Sequence, residues 1–92
     1  MKSVDAVAKI LKLEGVEYLF CFPANTLIDA AAKIDIRPIM TRTERTLINM
    51  ADGFSRITNG KRLGVATVQA GPGSENAFAG VAQAFSDSVP IL

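Results

Sequence analysis

The chain has 92 residues, 10 of them basic and 9 acidic, for a net charge of +1. That length allows one domain at most, and the balanced charge leaves no electrostatic footprint for nucleic acid or a membrane surface. The absence of histidine removes the commonest general base and zinc ligand, and the single cysteine, Cys21, excludes an intrachain disulfide. Hydrophobic residues make up 49% of the chain, which suits a packed core and not a disordered segment. No apolar run approaches the roughly 18 residues of a membrane span, so a cytoplasmic protein is expected.

In chain order, "MKSVDAVAK" predicts a helix rather than a signal peptide, with Ser3 as its cap. Val4, Val7, Ala8 and Leu11 follow at helical spacing, and Gly15 ends the segment. "VEYLFCF" predicts a buried strand, in which Cys21 is a small hydrophobe and not a nucleophile. After the break "PANT", "LIDAAAKI" reads as a short helix capped by Asn25 or Thr26. "IRPIM" reads as a second strand, placed at an edge because Pro38 donates no ladder hydrogen bond. A third helix spans about 43–58, with Leu47, Ala51, Phe54 and Ile57 on one stripe and Asn59-Gly60 closing it. "LGVATVQ" is a third strand, "AGPGSEN" a sharp turn, 74–86 a fourth helix, and "VPIL" the opening of another strand. Regular alternation with short turns predicts parallel β-α units. The expected fold is α/β, a three-layer open parallel sheet of flavodoxin-like type with helices on both faces. With its last strand only begun, the chain is expected to be the N-terminal part of a larger domain.

In such a sheet, ligands collect beyond the C-terminal ends of the strands. Three turns lie there: "FPAN" (22–25), "TRTE" (41–44) and "QAGPGSEN" (69–76). The glycines of "AGPGSEN" allow backbone to approach a ligand at a helix start, or they make only a tight turn with Ser74 as cap. A dinucleotide fingerprint fails at Asn76, and no Walker phosphate loop is present. Glu44 fits a capping box with Thr41, or sits behind a Thr43 cap at the positive helix end, or carries chemistry. Arg42, Arg45 and Arg56 read as solvated charges or surface ion pairs. Gly53, inside the third helix, costs about 1 kcal/mol relative to alanine, which close packing there would explain. The small residues of "NAFAGVAQAF" let the fourth helix lie close to a partner helix or subunit.

Taken together, "EGVEYLFCFPAN", "RTERTLINMADGFSR" and "VATVQAGPGSENAFAGVAQAFSDSVPIL" resemble the N-terminal, pyrimidine-binding domain of thiamine diphosphate-dependent enzymes of the acetolactate synthase and pyruvate oxidase type. The resemblance covers essentially the whole chain. It implies that Glu44 hydrogen-bonds a ring nitrogen of the cofactor's aminopyrimidine and so promotes loss of the thiazolium proton ahead of attack on a 2-oxo acid. It places Pro23 and Ala24 beside the pyrimidine, and Gln69, Pro72 and Asn76 on the third rim turn. It also implies a diphosphate and Mg2+ held by another domain through a Gly-Asp-Gly segment that this sequence lacks. No metal ligand is expected in these 92 residues, and FAD, bound by some relatives, is not indicated. A homodimer or homotetramer with the active site between subunits is implied, so the isolated chain is expected to be inactive. Ala24, Thr43, Arg45 and Gln69 stand where the family commonly has glycine, histidine, glutamine and threonine, all toward the substrate side. Two other readings compete: a flavodoxin-like or Rossmann-like nucleotide-binding module, and a non-catalytic interaction subunit.

Overall fold

The computed structural model describes residues 1–23 and 26–92. The elements alternate as expected: α1 (Ser3–Leu13), β1 (Tyr18–Cys21), α2 (Thr26–Ala32), β2 (Arg37–Met40), α3 (Glu44–Ile57), β3 (Val65–Thr67) and α4 (Pro72–Ser86). The three strands form one parallel sheet in the order β2-β1-β3. Beyond β3, Ile91 bridges Gly64 in parallel, so "VPIL" enters the sheet as the alternation predicts. The chain leaves β1 to one side for β2 and to the other for β3, and the C-terminal ends at such a reversal are where open α/β sheets collect ligands.

The strands sort their side chains by parity, as a pleated strand must. Leu19 and Cys21 face the cluster that holds Leu11 of α1 with Ile28 and Ala31 of α2. Tyr18, Phe20 and Phe22 face the other side, against Leu47, Ile48 and Ala51 of α3 and Ala77 of α4. Phe54 stands edge-on to both Tyr18 and Phe20, with ring centroids 5.5 and 6.0 Å apart. These are three layers, with α1 and α2 on one face and α3 and α4 on the other. Pro38 occupies the edge strand β2, where its missing N–H costs nothing.

Several local expectations change. Ser3 is the first residue of α1 and not its cap; the start is secured by the Asp5 carboxylate, which accepts from the Lys2 amide at 3.1 Å. Val7 and Ile57, expected in buried stripes, are exposed, because each lies beyond the edge of the stripe its helix buries. α4 begins two residues earlier than the pattern suggests. Pro72 occupies the first helical position, where proline is pre-organised and needs no N–H partner, so Ser74 falls inside the first turn and does not cap. Thr26 is the first residue of α2, while Asn25 lies outside the described residues. Close packing does not explain Gly53: a Cβ there would meet nothing among the described residues. The close approach falls instead at Gly80 and Gly64. A Cβ on Gly80 would overlap Ile48, and one on Gly64 would overlap the Ala51 carbonyl.

Candidate functional site

The described residues of the three rim turns lie at the same end of the sheet. The ladder pairs Cys21 with Met40 and with Thr67, so the residues after each strand leave side by side. Thr41 continues the pairing, its amide donating to the Cys21 carbonyl at 2.9 Å. That bond decides the capping question. The Thr41 amide is already taken, so no Thr41–Glu44 box forms. The cap is Thr43, whose hydroxyl accepts from the Thr46 amide at 3.2 Å. Glu44 is thus the first residue of α3, and its side chain is released from capping.

Glu44 is only 6% exposed although it carries a carboxyl group. It does not turn to solvent; it lies against the first turn of α4. Its Oε1 accepts from Asn76 Nδ2 at 3.3 Å. A Cβ on Gly73 would lie 3.3 Å from Glu44 Oε2 and 3.0 Å from the Gln69 Cβ, so any side chain at position 73 would crowd the second oxygen. The N-terminal end of α4, with its free amides, favours negative charge at this spot. The arrangement offers a buried carboxyl group, steadied by one amide, at the C-terminal rim of the sheet.

A model of one family, described as "Thiamine pyrophosphate enzyme, N-terminal TPP binding domain", matches residues 1–92. The chain belongs to this family. The TPP-binding domain is 35% identical over 96 aligned residues to the acetolactate synthase large subunit of Haemophilus influenzae, covering 100% of this chain and 16% of that protein. It is 36% identical over 95 residues to the probable acetolactate synthase large subunit of Methanocaldococcus jannaschii, again covering 100% of the chain and 16% of the relative. With the acetolactate synthase large subunit of Lactococcus lactis, identity is 38% over 90 residues, 94% of this chain and 15% of the relative. The chain therefore spans about one sixth of the length of these relatives.

Of the residues singled out in the sequence, the structure brings Glu44 and Asn76 into direct contact and sets Gln69 beside them across Gly73. Pro72 is on the same turn, exposed, and Pro23 is exposed just beyond the end of β1. Ala24 lies outside the described residues. Arg45 points away from this cluster, into a groove it shares with Asn49, Gly80 and Gln83. Among the described residues no helix is long and apolar enough to cross a membrane, and no cluster of three metal-binding side chains is found.

Sequence reasoning passed over two features. Gly73 was covered only by the general argument about the Gly-Pro-Gly turn, which was the available signal. Arg56 forms surface ion pairs as expected, but one of its partners is buried. Its Nε donates to Asp52 Oδ1 at 2.9 Å, and Asp52 is 2% exposed; its Nη2 reaches Asp87 Oδ2 at 3.0 Å. The bonds to Asp52 first and Asp87 second raise the Arg56 guanidinium above its ordinary value. The i, i+4 spacing of Asp52 and Arg56 is the signal that could have found the pair, but nothing in the sequence indicates that the aspartate is buried.

Proposed function

We propose that this domain holds the aminopyrimidine of thiamine diphosphate, with Glu44 as the catalytic carboxyl group. The enzyme it serves is an acetolactate-synthase-like carboligase or decarboxylase acting on 2-oxo acids. The observation that carries the reading is Glu44 itself: a buried carboxyl group at the rim, free of capping, held by Asn76 and not crowded by a side chain at Gly73. The donor set fits the group. A carboxyl group meets a ring nitrogen best where water is excluded and the hydrogen bond is correspondingly strong. Family membership supports the same assignment. When bound, thiamine diphosphate supplies the carbanion chemistry, stabilising charge that no side chain here stabilises.

The role of the chain's own residues is narrower. Glu44 holds or yields a proton at the ring-nitrogen position. Asn76, bonded to Oε1, steadies the carboxyl group, and Oε2 would be the oxygen that meets the ring nitrogen. Gln69, Pro72 and Pro23 are assigned to the surrounding rim, and the family resemblance adds Ala24 beside the pyrimidine. The diphosphate and Mg2+ are assigned to another domain, and the site is completed between two subunits of a homodimer or homotetramer. No residue here calls for FAD.

The test is Glu44→Gln in the full-length enzyme, which keeps an acceptor for Asn76 and changes only the acid. Turnover of a 2-oxo acid with thiamine diphosphate and Mg2+ should fall by about 10²–10⁴-fold, the usual weight of one acid–base group, with circular dichroism unchanged. Turnover within about threefold of the parent would remove Glu44 from catalysis.

A further inference from the structure

α3 and α4 run side by side and touch once per turn, from the rim to the far end of the sheet. At the rim, Glu44 Oε1 accepts from Asn76 Nδ2 at 3.3 Å. One turn on, Ile48 packs into the bare backbone of Gly80, where an added Cβ would overlap Ile48 Cγ2 and come within 2.9 Å of Ile48 Cβ. A further turn on, Asp52 Oδ2 accepts from Gln83 Nε2 at 3.4 Å. At the last turn, Arg56 spans the gap, bound to Asp52 on its own helix and to Asp87 at the end of α4. Only the first of these contacts lies at the rim. The others determine where α4 sits, and so where Asn76 sits.

The two lower devices act differently. The Gly80 notch sets the distance between the helices, since α4 lies this close to α3 only while position 80 carries no side chain. The Arg56 fork sets the register along them, because a guanidinium held by two carboxylates resists sliding in either direction. The rim bond is sensitive to both. At 3.3 Å it is already long, and a shift of about half an ångström takes it past hydrogen-bonding range. We propose that Gly80 and Arg56 are positioning residues, which hold Asn76 against Glu44 and thereby aim its carboxyl group. The inference rests on the reading of Glu44 as the cofactor's partner.

The experiment uses Gly80→Ala in the full-length enzyme, with Asp87→Asn as a milder second variant that cuts only the exposed end of the fork. The first readout is a crystal structure of the cofactor-free enzyme. The Glu44–Asn76 separation should open beyond hydrogen-bonding range in Gly80→Ala, and an unchanged separation overturns the proposal. The second readout is the thiamine diphosphate concentration giving half-maximal activity, measured in the parent and in an Asn76→Ala background. Gly80→Ala should raise it about tenfold in the parent, the worth of one bond to a charged group, and leave it unchanged once Asn76 is gone. An equal rise in both backgrounds means general loosening and overturns the proposal. If Gly80→Ala does not fold, Asp87→Asn must show the same pattern at about twofold, as befits an exposed ion pair. If Glu44→Gln leaves turnover intact, the cofactor reading fails on its own, and the crystallographic separation alone decides the positioning.

Discussion

The two faces of the sheet are built on opposite plans. The face under α1 and α2 is apolar throughout its buried part: Leu11, Leu19, Cys21, Ile28, Ala31, Ile36 and Val65 close on one another with no charged group among them. The face under α3 and α4 contains every buried polar side chain among the described residues, and Glu44, Asp52 and Ser55 all belong to α3. Burying a polar group costs free energy unless it is bonded, so a helix that buries three must have partners for them. Two are fully provided for inside the domain. Ser55 Oγ accepts from the Gly64 amide at 2.7 Å, tying α3 to the start of β3. Asp52 accepts from Arg56 and Gln83. Glu44 has one long bond, from Asn76 to Oε1, and its Oε2 lies against Gly73 at the rim. The contrast between faces separates an apolar support from a polar face, and the contrast within α3 separates the two structural polar groups from the one proposed to serve the site.

The largest effect should come from the apolar face. Leu19 is fully buried in the central strand, and Leu19→Ala removes its contacts and leaves a void, at a cost of about 3 kcal/mol in urea unfolding. A loss under about 1 kcal/mol would mean that this face collapses around the deletion and is not the rigid support. Next comes Ser55→Ala, which strands the buried Gly64 amide without its acceptor. It should cost about 2 kcal/mol while leaving cofactor-dependent turnover per folded molecule unchanged. Loss of turnover out of proportion to stability would break the division of α3 into structural and chemical polar groups.

How much of this was legible in the sequence follows from which interactions are local. Alternating apolar runs and turn residues specified the order of elements, the parallel sheet and the common rim, because each β-α unit carries its own period and punctuation. The edge placement of β2 followed from Pro38 alone. The cap of α3 was left open between Thr41 and Thr43, since the pattern suits both. The choice depended on a bond from the Thr41 amide to Cys21, a residue 20 positions away in sequence. The same limit hid the roles of Gly53 and Gly80. Both interrupt helices, and only the packing of α3 on α4 shows that the second is a notch and the first is not. Arg56 was legible only as a surface charge or ion pair, while the burial of its partner Asp52 and its reach to Asp87 are tertiary facts.

Gly53 offers a smaller test, in which the sign matters more than the size. Its helix gains about 1 kcal/mol on Gly53→Ala if the space above it is open, as it is among the described residues. Differential scanning calorimetry of the full-length enzyme should show that gain. A loss instead would mean that another domain or subunit occupies this side of α3 in the assembled protein, and the α3/α4 face would then be an interface as well as a site.

The smallest effect belongs to Cys21, and it appears only in alkali. Burial pushes its thiol above the ordinary 9.0, with the Ile39 carbonyl, 3.6 Å from Sγ, pulling weakly the other way. The protonated thiol is therefore the form the fold prefers. The stabilisation it contributes is present in full below the ordinary value and is lost as the pH climbs through the raised folded value. Near pH 7, Cys21→Val should be close to neutral, because a small buried hydrophobe replaces another. Above about pH 9 the parent should lose stability faster than the variant, the difference isolating the thiol from tyrosine and lysine titration. The thiol should also resist alkylation in the native state, since the attacking species is a thiolate that the apolar face disfavours. Rapid labelling at neutral pH would show that this face opens readily, and the apolar side would then lose its standing as the rigid half of the domain.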